Sequence, residues 1–186
     1  MPESKCSTET EIKIRIPERS LDSLRKKILA NGFRRKSSRS LETNTLFDYE
    51  DQRIYREGSA VRLRSYGNRT ILTWKGPLHP EKNLKIREEI ETEVASMQSA
   101  IQILERLGLY PALEYSKFRE TFEYESNDRV EICLDETSAG SFIEIEGSGD
   151  DIAHFAGILG LNIKDQVRAS YVELLGRVTV KNGENK

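Results

Sequence analysis

Long hydrophobic runs are missing from this sequence of 186 residues. No stretch approaches the ~18 apolar residues that a membrane-spanning helix needs, so a helical membrane protein is not expected. Cysteine is scarce. Cys6 and Cys133 are the two present, and with His79 and His154 they form no short-spaced set of the zinc-binding kind. A reduced, cytoplasmic setting is the expectation. The opening MPESKCSTET has no apolar signal core. Charge of one sign is lacking too, since 29 basic residues face 31 acidic ones for a net charge of −2. A chain built to coat nucleic acid would be strongly basic, and this one is not. A local basic patch offset by acids elsewhere stays open. Repeats and low-complexity linkers are absent, and the length fits one domain.

What is present is charge of both signs. Charged residues make up 32% and hydrophobic residues 37%, the first high and the second low for a globular domain. Residues 8–16 read as a strand. PERSLDSLRKKILANG follows with Leu21, Leu24, Ile28 and Leu29 at helical spacing and Gly32 as a stop. Residues 33–49 read as extended, 51–58 as a loop or short helix, and 77–83 as a proline-containing loop. AVRLRS and TILTWKG form a hairpin about Gly67-Asn68, and KFRETFEYES and RVEICLDE another about Asn127-Asp128. LKIREEIETEV is a long strand and SFIEIEG a short one. Helices are expected over 96–108, with Ser96 as cap, over 150–160, and over ASYVELLGRV. Adjacent hairpins with helices between groups predict an α+β domain with a mainly antiparallel sheet.

Alternate residues of a strand share a face. In ETEIKIR that rule puts Glu9, Glu11, Lys13 and Arg15 together. It puts Arg62 with Arg64, Thr73 with Lys75, and Lys117 with Arg119. Lys85, Arg87, Glu89, Glu91 and Glu93 share a face, as do Glu131, Cys133 and Asp135, and Glu144 and Glu146. A solvated face explains any one strand, because antiparallel sheets commonly show one side to water. It explains the set less well. Acids and bases are sorted into blocks, whereas a surface kept merely soluble intersperses them. The apolar strand faces are the available partners for the helices' apolar stripes. If the sheet closes, the charged faces become its interior. Charges in an interior need pairing or a ligand. Glu-x-Glu carboxylates suit a hard cation such as Mg²⁺ or Mn²⁺. Clustered Arg and Lys suit phosphate oxygens. Together they imply a polyphosphate bound with a divalent metal.

These residues resemble a known family. ETEIK is similar to the Glu-x-Glu-x-Lys signature of the CYTH domain, the triphosphate tunnel metalloenzymes, which include class IV adenylate cyclases and thiamine and inorganic triphosphatases. The resemblance runs through AVRLRS, LTWKGP, IREEIETE, KFRETF, VEICLDE and FIEIEG to RASYVELL, about residues 8–176. It implies a closed eight-stranded antiparallel β-barrel with helices outside, a flexible start over 1–7 and a disordered tail over 177–186. It implies triphosphate binding by Lys13, Arg62, Arg64, Lys75, Arg87, Lys117 and Arg119, with Lys13 also the candidate catalytic residue. Metal ligands would come from Glu9, Glu11, Glu144, Glu146 and Asp135, with Glu89 and Glu91 as further acidic lumen residues. Arg168 is matched loosely to a basic position before the closing motif. Asn44, Phe47 and Asp48 lie in a stretch similar to the family's tunnel mouth, without a role. Trp74 reads as packing outside the barrel, and Cys133 as an inward residue without a base.

The activity so implied is metal-dependent hydrolysis of inorganic triphosphate, thiamine triphosphate or ATP. The alternatives are a class IV adenylate cyclase, making cyclic AMP and pyrophosphate, and a non-catalytic polyphosphate or nucleotide module. No nucleic-acid or membrane partner is expected, and a homodimer is open.

Overall fold

The computed structural model describes residues 5–79 and 84–175. The first residues of the expected flexible start, part of the proline-containing loop, the end of the last expected helix and the expected disordered tail lie outside the described residues. Eight antiparallel strands close into a barrel in the order β1-β5-β4-β3-β2-β6-β7-β8. In chain order these are β1 (Lys5–Ile16), β2 (Phe33–Asp48), β3 (Ala60–Tyr66), β4 (Arg69–Lys75), β5 (Lys85–Glu93), β6 (Tyr110–Tyr124), β7 (Asn127–Thr137) and β8 (Gly140–Glu146). Closure pairs each strand on both sides, which removes most of the usual liability of a sheet this rich in extended chain, although among the described residues β1 beyond Glu11 has no partner strand on its β5 side.

The alternation read from the sequence decides which side is which. Odd-numbered residues of β1 face in, and Ile12, Ile14 and Ile16 face out, where they are buried beneath helices. Two helices cover that side: α1 (Leu21–Ala30), through Leu21, Leu24 and Ile28, and α4 (Gly149–Leu159), through Ile152, Phe155, Ala156 and Leu159. Phe122, Val130, Ile132, Ile143 and Ile145 complete this outer core. A smaller core forms under α3 (Met97–Arg106), where Ala100 and Leu104 meet Phe47, Leu63 and Leu109. The hydrophobic cores therefore lie between barrel and helices. Leu29, counted in the apolar stripe of α1, is 43% exposed instead.

Local signals set the helix ends. Ser96 accepts a hydrogen bond from the Ser99 amide at 3.2 Å, capping α3 as expected. Ser148 and Asp151 make a reciprocal capping box at the start of α4. β1 opens at Lys5, ahead of its expected start at Thr8, because β5 runs on to Glu93 and gives residues 5–7 backbone partners at Glu89 to Glu91. Trp74 sits on the outer face between Val61 and Ile90, as read. Among the described residues no helix is long and apolar enough to cross a membrane.

Candidate active site in the barrel lumen

The inward faces enclose a cavity of about 1900 Å³. Lys13, Arg62, Arg64, Lys75, Arg87, Lys117 and Arg119 all line it, as do Glu9, Glu11, Glu89, Glu91, Glu144 and Glu146. Register explains the convergence. Glu9 lies opposite Arg87 across β1 and β5, Glu11 opposite Glu146 and Lys13 opposite Glu144 across β1 and β8, and Arg119 opposite Asp135 across β6 and β7.

The charges pair in groups, which Arg62–Glu89 and Arg64–Glu42, each at 3.9 Å, link to one another. Lys75 lies 2.9 Å from Glu9 and 2.6 Å from Glu89, and Arg87 lies 3.3 Å from Glu9. Arg62 and Arg64 reach Glu91 at 3.4 and 3.1 Å, and Thr73 donates to the same Glu91 oxygen at 2.8 Å. Lys85 lies 3.4 Å from Glu11. Arg119 bonds both oxygens of Asp135, at 2.7 and 2.6 Å, and also bonds Glu144. Lys117 reaches Asp135 at 3.0 Å and Glu42 at 3.5 Å.

Proton affinities follow from this crowding. Burial pulls the Lys13 ammonium down to about 8, with Glu144 opposing the fall. Burial pushes Glu146 up to about 8, assisted by Glu9 and Glu131. Glu89 rises to about 9 through burial and its hydrogen bond to Glu9. Burial would raise Glu9 and Glu144 as well. Lys75 and Arg87 instead hold Glu9 well below the usual carboxylate range, and Arg119 and Lys117 do the same for Glu144.

The expected metal ligands divide. Glu9, Glu11 and Glu146 share one wall and offer hard carboxylate oxygens, the donor chemistry that suits Mg²⁺ or Mn²⁺. Glu146, raised by burial and then by neighbouring acids, is a carboxylate that a cation would relieve. Among the described residues no three acidic, histidine or cysteine side chains stand ready as a cation cage. Asp135 is 0% exposed and already takes Lys117, Arg119 and the Tyr171 hydroxyl, so a cation would have to displace three donors to reach it. Glu144 is held by Arg119 in the same way.

Three contributors went unread in the sequence. Glu42 enters from β2, 2% exposed, and accepts from Asn44 at 3.1 Å. Lys85 was placed on the inward face but given no role. Tyr171 opens α5 (Tyr171–Leu175), donates to Asp135 at 2.6 Å, and sets its ring 4.1 Å from the Lys13 ammonium and 4.5 Å from that of Lys117. It gets there because the preceding segment straps onto the free edge of β1. The Val167 amide donates to the Lys13 carbonyl at 2.7 Å, and Ile14 bridges to Gln166.

Asp48 has a mouth role. Its carboxylate accepts from the amides of Tyr49, Ile54 and Tyr55 at 2.7, 3.0 and 2.9 Å, fixing α2 (Arg53–Arg56) beside the cavity. Arg168 is exposed at the cavity edge. Cys133 lies inside, 3.7 Å from the Thr121 hydroxyl, and burial pushes its thiol well up, which disfavours a thiolate nucleophile. His154 stacks edge-on against Phe155 on α4, outside the barrel.

Glu42 gives the lumen an acid-sensitive tie. Burial would raise it, yet Lys117, Arg119, Arg64 and Arg62 bring it from 4.5 to about 2. Its contribution to stability is complete above about pH 4.5 and is lost as pH falls toward 2, worth about 3 kcal/mol at full effect. Urea unfolding should show the protein more stable than Glu42→Gln at pH 6, with the gap narrowing at pH 3. A gap that does not change with pH would contradict this.

A family model for the CYTH domain matches residues 7–171. A candidate adenylate cyclase of Methanocaldococcus jannaschii is 30% identical over 179 residues, covering 90% of this chain and 98% of that protein. Among solved structures, a candidate adenylate cyclase of Vibrio parahaemolyticus superposes with a TM-score of 0.78 at 19% identity, covering 92% of this chain and 99% of that one. A Hippeastrum protein described as a candidate adenylyl cyclase with dominant triphosphatase activity superposes at 0.62 and 20% identity, covering 82% and 88%. These two likenesses are of fold. With the family match spanning the barrel from its first strand to Tyr171, the chain belongs to the CYTH domain family.

Proposed function

We propose that the chain is a divalent-metal-dependent triphosphatase. One observation carries the reading: a single lumen gathers the seven expected Lys and Arg side chains, Lys85 beside them, and a wall of hard carboxylate donors. An anion-binding module would need the bases without the acids. Arg62, Arg64, Lys75, Arg87, Lys117 and Arg119 neutralise and align the phosphate chain, which is most of what phosphoryl transfer asks of a protein. Glu9, Glu11 and Glu146 would hold Mg²⁺ or Mn²⁺, which when bound supplies charge neutralisation and a more acidic water. Lys13, whose buried ammonium is brought down to about 8, orients the attacking water and, in its neutral amine form, receives its proton. The water oxygen bonds to the terminal phosphorus, the bridging P–O bond breaks, and orthophosphate leaves with the shortened chain.

The Methanocaldococcus relative's name favours a second reading, cyclisation of ATP. There the ribose 3′-hydroxyl attacks the α-phosphorus and pyrophosphate leaves.

Incubation with inorganic triphosphate, thiamine triphosphate or ATP, with Mg²⁺ and with Mn²⁺, separates the two. Orthophosphate from one of the triphosphates is the expected product. Cyclic AMP with equal pyrophosphate would replace this reading by the cyclase. Binding without turnover would leave a ligand-binding module.

A further inference from the structure

We propose that Glu9 is a built-in stand-in for the substrate. Without ligand, its carboxylate occupies the phosphate position formed by Lys75 and Arg87, and a divalent cation that takes Glu9 releases both bases to phosphate. The inference rests on the triphosphatase reading of the lumen and adds how that site is kept shut. The Lys75 ammonium lies 3.1 and 2.9 Å from the two Glu9 oxygens, and Arg87 Nε lies 3.3 Å from one of them. One carboxylate spanning a lysine and an arginine presents oxygens much as a phosphate would.

The same pairs hold Glu9 away from a cation cage. Its neighbour along the face, Glu11, is drawn to Lys85. The described residues correspondingly show no preassembled group of three metal-ligating side chains, although Glu11 and Glu146 are register neighbours. A cation arriving alone would strand Arg87 and leave Lys75 to Glu89 alone, and a phosphate chain arriving alone would strand Glu9. Arriving together, each satisfies what the other exposes. Reciprocity then requires that each tighten the other's binding.

Glu9 is the acid able to make this exchange. The buried Asp135 takes two nitrogens of Arg119, the ammonium of Lys117 and the hydroxyl of Tyr171, and stays with its bases. Glu9 has no tyrosine anchor of that kind, its further partner being the neighbouring Glu89, and it stands on the wall shared with Glu146.

The test is calorimetric titration of inorganic triphosphate into the full chain, in EDTA and again with Mg²⁺, for the unaltered protein and for Glu9→Gln. The neutral isostere leaves Lys75 and Arg87 without their stand-in. Metal-free affinity should rise about tenfold or more, and the gain from Mg²⁺ should shrink. Metal-free affinity equal to or below that of the unaltered protein would overturn the inference. Failure of the unaltered protein to bind triphosphate under either condition would instead overturn the triphosphatase reading.

Lys75→Met is the mirror image. Glu9 then loses its nearest base, so Mn²⁺ alone, read from the EPR signal of the free ion, should bind more tightly than to the unaltered protein. Equal or weaker Mn²⁺ binding would overturn the inference independently of how Glu9→Gln folds.

Discussion

Replacing Lys13 with methionine is expected to lower kcat/KM for the best triphosphate by about 10³-fold, the scale of a lost acid–base group. Lys13 is 1% exposed, so its stem is packed and methionine keeps most of that volume. Its ammonium sits against the Tyr171 ring at 4.1 Å, and the residue lies opposite Glu144 across β1 and β8. Burial already disfavours its charge, so the folded state should tolerate the loss. The checks are steady-state kinetics and a thermal melt on the same preparation. Turnover within a few-fold of the unaltered protein, with the melt unchanged, would remove Lys13 from the chemistry.

The largest structural effect is expected at Asp135. Its carboxylate is fully buried and gathers Lys117, Arg119 and Tyr171 from β6 and α5. Breaking a buried pair from one side leaves uncompensated charge, which costs about 3 kcal/mol or more. Glu42 and Glu144 still face the same two bases, so Asp135→Ala should fall at the lower end of that range. Tyr171→Phe, which removes one hydrogen bond and keeps the ring beside Lys13, should cost about 1 kcal/mol. Urea unfolding measures both. A loss below about 1 kcal/mol for Asp135→Ala would contradict its role as the tie between β6 and α5.

The barrel was legible because a strand repeats every two residues and a closed sheet has two distinct sides. Pairs such as Arg62 with Arg64, and Lys117 with Arg119, keep their parity through regular strands, and all four reach the lumen. Glu42 was not legible for a matching reason. β2 shifts register by one residue between Arg35 and Ser37 and again between Ser37 and Ser40, which interrupts the plain alternation ahead of residue 42 even though the two shifts cancel there. Glu120 shares its parity with Phe118 and Phe122, an acid on an apolar face. The structure covers it with Arg25 from α1 and Arg35 from β2, each at 2.7 Å, and those contacts join residues far apart in sequence. Tyr171 read as part of a closing helix. Its entry into the lumen depends on the strap over the β1 edge, which no local period encodes. Resemblance named the acidic set as a whole, and only side-chain geometry separates Asp135, held by three donors, from Glu146, surrounded by acids.

The most direct measurement of the central claim is a crystal structure with Mn²⁺ and inorganic triphosphate, read by manganese anomalous scattering. The account predicts an anomalous peak inside the barrel at about 2 Å from carboxylate oxygens of Glu9, Glu11 or Glu146. The phosphates should lie against Lys75, Arg87 and Arg62, with Glu9 turned away from Lys75. Manganese and phosphate bound only outside the barrel, with the Glu9–Lys75 pair intact and the lumen closed to both, would contradict it.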